Sequence, residues 1–130
     1  MTKKILLIDD EELITRTLAN ALERNGYEVL VAKTANDAMA MAEEEKFHLI
    51  ISDIRMPGMN GVETVKKILE GLKNRGERKT PAIFVTGYAD QKLEAQARML
   101  HPHSYIFKPF DLPEFLQKVK EALQESPSAK

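Results

Sequence analysis

Cysteine is absent from the chain, which excludes disulfides, thiolate metal sites and cysteine nucleophiles. That absence fits a reducing compartment. No apolar run approaches membrane-spanning length, and Met1-Thr2-Lys3-Lys4-Ile5 carries too short an apolar stretch for a signal peptide. A cytoplasmic location with no membrane partner is therefore expected. A charge excess of either sign is also missing. Nineteen Lys and Arg against 20 Asp and Glu leave a net charge of −1, which offers no bulk attraction for polyanions. Basic residues are scattered without interleaved aromatics, so direct nucleic-acid binding is not expected. Neither GxGxxG nor GxxxxGK(S/T) occurs, which removes support for dinucleotide and P-loop binding. His48, His101 and His103 pair with no carboxylate motif, and Pro102 separates two of them rigidly. No histidine metal site is expected.

What is there is the make-up of one domain. The 130 residues, 43% hydrophobic and 30% charged, are enough for a packed core without staples. The organising stretch is Leu49-Ile50-Ile51-Ser52-Asp53, a short apolar run that reads as a strand buried on both faces and ends on an acid. Pro57, Gly58, Asn60 and Gly61 then break the backbone before a helix from Val62 to about Leu72. Upstream, Ile5–Ile8 reads as a strand that stops at Asp9-Asp10-Glu11-Glu12. Ile14, Leu18, Ala21 and Leu22 follow at helical spacing up to Gly26. Tyr27–Val31 reads as a second strand, and Thr34-Ala35-Asn36-Asp37 caps an Ala/Met-rich helix reaching about Glu45. Met39 and Met41 there are core filler.

Downstream, residues 73–80 form a basic loop without periodicity, read as a solvated connection. Ala82–Val85 is a strand ending on Thr86-Gly87, and Asp90–Leu100 is a weakly amphipathic helix. Tyr105–Phe107 is a fifth strand terminated by Lys108-Pro109. Asp111-Leu112-Pro113-Glu114 caps a last helix with the stripe Leu112, Leu116, Val119 and Leu123. Residues 126–130 read as a flexible tail or the start of a linker, leaving 1–125 as the domain. Apolar strands alternating with helices predict an α/β fold, a five-stranded parallel sheet covered on both faces. Right-handed crossovers leave few topologies, and the expected one is a single doubly wound domain of strand order 2-1-3-4-5.

Parallel strands put all their carboxyl ends on one edge of the sheet, where open α/β sheets build ligand sites. Asp9, Asp10 and Asp53 would meet there with the Thr86 hydroxyl and the Lys108 ammonium. Two carboxylates about 4 Å apart repel by roughly 4 kcal/mol at an effective dielectric of 20, so three need protons or a cation. An oxygen-only donor set with few protein ligands suits Mg²⁺. Lys108 can pair with one phosphoryl oxygen and Thr86 can hydrogen-bond another. Phosphoryl transfer asks mainly for positioning and charge neutralisation, and Asp53, with broken backbone after it, is the best carboxylate nucleophile. Each residue alone has an ordinary structural use, such as complementing a helix dipole or opening a turn. Their joint placement on four strand ends carries the signal.

These residues, as Ile8-Asp9-Asp10-Glu11, Ser52-Asp53-Ile54-Arg55-Met56-Pro57-Gly58-Met59-Asn60-Gly61, Val85-Thr86-Gly87 and Lys108-Pro109-Phe110, resemble the receiver domain of bacterial two-component response regulators, the CheY-like family. The likeness covers about residues 4 to 124. That family is a standard instance of the flavodoxin-like 2-1-3-4-5 order, so strand order and resemblance are one expectation, not two. The resemblance implies that Asp53 accepts a phosphoryl group from a histidine kinase or phosphotransfer protein. It implies Mg²⁺ held by Asp10, Asp53 and the Arg55 backbone carbonyl, with Asp9 acting through water. It makes Thr86 and Lys108 the ligands of the phosphoryl oxygens and Lys108-Pro109 a cis peptide. It makes Thr86 and Tyr105 a switch that alters the surface of the fourth helix, fifth strand and fifth helix, through which a downstream protein, an attached effector or a second copy is bound. Arg55 and Tyr88 fall at positions that tune phosphoryl lifetime. One departure stands out: Leu100-His101-Pro102-His103-Ser104 replaces the usual Gly-Ala before the switch aromatic, and Pro102 stiffens that turn.

Two other readings compete. Haloacid-dehalogenase-like phosphatases also form an aspartyl phosphate, but carry a second acid two residues after the nucleophile, where this chain has Arg55. A pseudo-receiver that acts only by protein binding would lack some of the five site positions, and none is missing. A phosphoacceptor rather than a turnover enzyme is expected.

Overall fold

A computed structural model describes residues 2–87 and 89–124. Five strands and five helices alternate along them: β1 (Lys4–Ile8), α1 (Glu12–Arg24), β2 (Glu28–Ala32), α2 (Ala35–Glu44), β3 (Leu49–Asp53), α3 (Gly61–Asn74), β4 (Ala82–Thr86), α4 (Gln91–Arg98), β5 (Ser104–Phe107) and α5 (Leu112–Ala122). All strand pairs are parallel, in the order β2-β1-β3-β4-β5. The expected topology is the observed one. The described residues form one doubly wound α/β domain with the flavodoxin-like strand order.

Burial explains the unbroken apolar runs. The central strands β3 and β4 are buried at every position, while the edge strands β2 and β5 are mostly half-exposed. Strand side chains alternate between faces, so a strand covered on both sides must be apolar at consecutive positions. Leu6, Ile8, Ile50 and Phe84 point to one face, under Ala38 of α2, Val65 of α3 and Ala97 of α4. Ile5, Leu7, Ile51, Ile83 and Val85 point to the other, under Leu18 and Leu22 of α1 and Phe115 and Val119 of α5. Each such aliphatic or aromatic side chain contributes about 1.5–3 kcal/mol by burial. Met39 and Met41 pack partly buried against the first of these cores.

Helix starts follow the capping chemistry. Thr34 Oγ1 accepts from the Asp37 N–H at 3.0 Å, and Asp111 Oδ1 accepts from Glu114 N–H at 2.7 Å. Asn60 and Asp90 cap α3 and α4 in the same way. Asn60 as the cap moves the start of α3 to Gly61, one residue before the sequence reading, and α4 stops at Arg98 rather than at Leu100. The basic stretch 73–80 begins as the last turn of α3 and then runs exposed, apart from half-buried Glu77 and buried Thr80. No helix among the described residues is long and apolar enough to cross a membrane. The tail assigned to residues 126–130 and the position of Tyr88 lie outside the described residues.

Candidate functional site

The parallel arrangement delivers four chain segments to one edge. Asp9 follows β1, held by its N–H donating to Ala32 O at 3.1 Å. Asp53 is the last residue of β3 and Thr86 the last of β4. Lys108 follows β5, its N–H donating to Thr86 O at 2.8 Å, and its peptide bond to Pro109 is cis. These neighbours bring Lys108 Nζ to 3.4 Å from Asp53 Oδ2 and 3.8 Å from Asp9 Oδ2. Carboxylate oxygens of Asp9, Asp10 and Asp53 lie within 4.8 Å of one another, the one converging group of His, Cys, Asp or Glu ligands among the described residues.

Electrostatics there are tense. Asp9 is 3% exposed and Asp53 6%, whereas Asp10 faces solvent. Burial pushes the Asp9 carboxyl up to about 6; the Glu11 N–H, which donates to its Oδ1 at 2.9 Å, and the Lys108 charge oppose this, while the Asp53 charge adds to it. Burial pulls the Lys108 ammonium down, but Asp53, Asp9 and Glu11 together outweigh that and leave it raised. Asp53 Oδ1 accepts the Ile54 N–H at 2.7 Å. A buried acid that keeps its proton up to about pH 6 and is largely ionised at pH 7, beside two further acids, marks a place where a divalent cation would relieve repulsion. Three carboxylates without sulfur or imidazole fit a hard ion such as Mg²⁺.

Beside this cluster opens a cleft of about 490 Å³ lined by Asp10, Glu11, Asp53, Arg55, Gly87 and Lys108, among others. Arg55 is exposed at its rim. Thr86 is fully buried and does not line the cleft, though the neighbouring Gly87 does. Tyr105 stands apart from it. Its half-buried ring lies 6.3 Å from Phe84 and edge-on to Phe107 at 5.3 Å, with the Arg98 guanidinium 5.3 Å above its centroid. The sequence reading missed Glu11 as a site residue. The run of four acids from Asp9 to Glu12 was the available signal, but its third member read as helix-dipole charge.

A family model for the response regulator receiver domain matches residues 5–120. The transcriptional regulatory protein CrdR of Helicobacter pylori is 35% identical over 127 residues, covering 98% of this chain and 58% of that protein. The polar-differentiation response regulator DivK of Brucella ovis is 32% identical and covers 97% of this chain and 100% of its own length. Among solved structures, a CheY-like receiver domain protein from Methanospirillum hungatei superposes with a TM-score of 0.87 at 34% identity, over 96% of each chain. The chain belongs to the response regulator receiver domain family. It spans little more than half of CrdR but the whole of DivK.

Proposed function

We propose that Asp53 is the phosphoacceptor of a two-component signalling domain, receiving its phosphoryl group from a histidine kinase or phosphotransfer protein. The observation that carries this reading is the Lys108 ammonium 3.4 Å from a nearly buried Asp53 at the floor of an open cleft. Asp10, Asp53 and the Arg55 carbonyl would hold Mg²⁺, with Asp9 supporting it through water. When bound, that ion supplies charge neutralisation between carboxylate and phosphoryl oxygens. Lys108 takes one phosphoryl oxygen as a point charge, and Thr86, at the end of the adjoining strand, takes another. Drawing Thr86 inward alters the space beside Phe84 and Tyr105, and so the α4-β5-α5 surface. Through that surface the domain controls a downstream protein, an attached effector or a second copy of itself. We assign the domain to residues 1–125 and place it in the cytoplasm.

Arg55 supports a phosphoacceptor over a hydrolase, since no second acid follows the nucleophile by two residues. Incubation with acetyl phosphate and Mg²⁺ tests the reading: the protein gains about 80 Da, the mass of one phosphoryl group, and Asp53→Asn gains nothing. Continuous release of phosphate from added monoesters would favour a hydrolase instead.

A further inference from the structure

Among the five described helices, four have an N-cap side chain that accepts from the helix's own backbone, and α1 does not. Its N-cap is Glu11, a residue type that caps poorly. The Glu11 N–H is taken by Asp9 Oδ1 and its carbonyl accepts from Thr15, so the backbone is satisfied without the side chain. The side chain instead crosses the cleft mouth. Glu11 Oε1 lies 3.3 Å from Lys108 Nζ, joining positions 97 residues apart. A carboxylate here complements the α1 dipole whichever way it points; what the dipole does not explain is its direction across the cleft, and the contact with Lys108 does.

We propose that Glu11 is a positioning residue for phosphoryl transfer, holding Lys108 across the mouth of the Asp53 cleft so that an incoming phosphoryl group must take the lysine from it. The inference rests on the assignment of Asp53 as phosphoacceptor. In the step concerned, an Asp53 carboxylate oxygen forms a bond to phosphorus as the bond from phosphorus to the donor's acetate oxygen breaks. Acetate departs with the bonding electrons. Lys108 must turn to the transferring oxygens, and the Glu11 carboxylate competes for it while repelling an anionic donor. Both effects act in one direction: Glu11 slows entry. An exposed ion pair of this kind is worth a factor of about two to five.

The test measures phosphorylation rates with acetyl phosphate and Mg²⁺, alongside Mg²⁺ affinity and the Lys108 Nζ NMR resonance in the metal-free, unphosphorylated protein. Glu11→Gln is expected to react about two- to five-fold faster, with Mg²⁺ affinity within twofold of wild type and a displaced Nζ resonance. Glu12→Gln makes the same charge change one residue away, where the partners are Lys33 and Arg16, and is expected to leave rate and resonance alone. Glu11→Asp keeps the charge that repels the donor but is one methylene too short to hold Lys108, and is expected to displace the Nζ resonance as Glu11→Gln does while its rate falls between wild type and Glu11→Gln. Equal rates for wild type and Glu11→Gln, equal acceleration by Glu12→Gln, or wild-type behaviour of Glu11→Asp would each overturn the inference while leaving Asp53 in place. A wild-type protein that takes up no phosphoryl group overturns the Asp53 assignment, and the inference with it.

Discussion

Arg98, in the last turn of α4, places its guanidinium carbon 5.3 Å above the centroid of the Tyr105 ring on β5. It is held there from behind, because Glu94 Oε2 accepts from Arg98 Nε at 3.0 Å and from a terminal nitrogen at 2.8 Å. Helix α4 and the proposed switch aromatic are thus joined by a braced cation rather than by apolar packing alone.

Removing that cation should loosen Tyr105. Burial raises the Tyr105 phenol above its ordinary value, Glu94 and Asp90 raise it further, and Arg98 pulls it down. Arg98→Ala is therefore expected to raise the phenol still more and to cost about 0.5–1 kcal/mol of stability. A raised phenol favours the folded state below its unfolded value, and that contribution is lost as pH rises through the folded value. Ultraviolet titration of tyrosinate, with Tyr105→Phe to assign the transition, reads the first effect, and urea denaturation reads the second. A phenol that titrates lower in Arg98→Ala would contradict the arrangement.

Asp9 makes the metal-free protein sensitive to pH in the opposite range. Its carboxyl titrates at about 6 in the folded state against 3.8 ordinarily, so the folded protein binds this proton more tightly. The contribution is most favourable below about pH 4 and is lost as pH rises to about 6. Asp9→Asn keeps an oxygen for the Glu11 N–H but carries no charge. In the presence of EDTA it is expected to be more stable than wild type by about 1–3 kcal/mol at pH 7.5, the two converging near pH 4. Denaturation midpoints at both pH values check this. Identical midpoints at pH 7.5 would show that Asp9 carries no such strain.

Much of this site was legible because a parallel sheet turns sequence position into spatial position. Reading strand ends at Asp9, Asp53, Thr86 and Lys108 was enough to bring them to one edge, and the structure brings Lys108 Nζ within 4 Å of both acids. The contacts of Glu11 and Arg98 were not legible. They depend on where long side chains point between elements whose separation no periodicity records. His101 is a third case. The sequence marked Pro102 as a stiff point, yet the backbone compensates one residue earlier, where His101 adopts φ +55 and the chain then re-enters the sheet through the His103 N–H bond to Ala82 O. In the sequence Gly61 reads only as part of the break before a helix, and its actual demand is steric.

Lys108 is the cation between three acids, and its loss should be felt most when no divalent ion is present. Lys108→Ala leaves Asp9 and Asp53 nearly buried without their compensating charge. A cost of about 1–3 kcal/mol is expected at neutral pH in EDTA, less than for a fully buried pair because the lysine is partly exposed. Saturating Mg²⁺ should recover most of it, since the ion would neutralise the same acids. Amide spectra should then show phosphorylation of Asp53 without the surface change proposed for wild type. Equal destabilisation with and without Mg²⁺ would mean that the ion and the lysine do not serve the same acids.

Gly61 and Gly58 are separated by three positions, and alanine should affect them for different reasons. Gly58 sits at φ +76 with open space around it, so alanine there meets only the backbone preference against left-handed geometry, about 1 kcal/mol. Gly61 opens α3 with its N–H donating to Ile54 O at 2.8 Å, which draws the helix start against the end of β3. A Cβ at Gly61 would lie 1.8 Å from the backbone oxygen of Asp53 and 2.7 Å from Ser52 Oγ. Neither obstacle is the far end of a flexible side chain; one is the backbone of the proposed phosphoacceptor and the other a buried hydroxyl bonded to that same oxygen at 2.8 Å. Relief requires α3 and the end of β3 to part. Gly61→Ala is therefore expected to cost about 3 kcal/mol or more and to lower both Mg²⁺ affinity and phosphorylation, while Gly58→Ala costs about 1 kcal/mol. Chemical denaturation ranks the two, and phosphorylation measured well below each midpoint separates displacement of Asp53 from simple unfolding. Equal costs at the two positions would show that the helix start yields freely, and that Asp53 is not held in place by the close approach of Gly61.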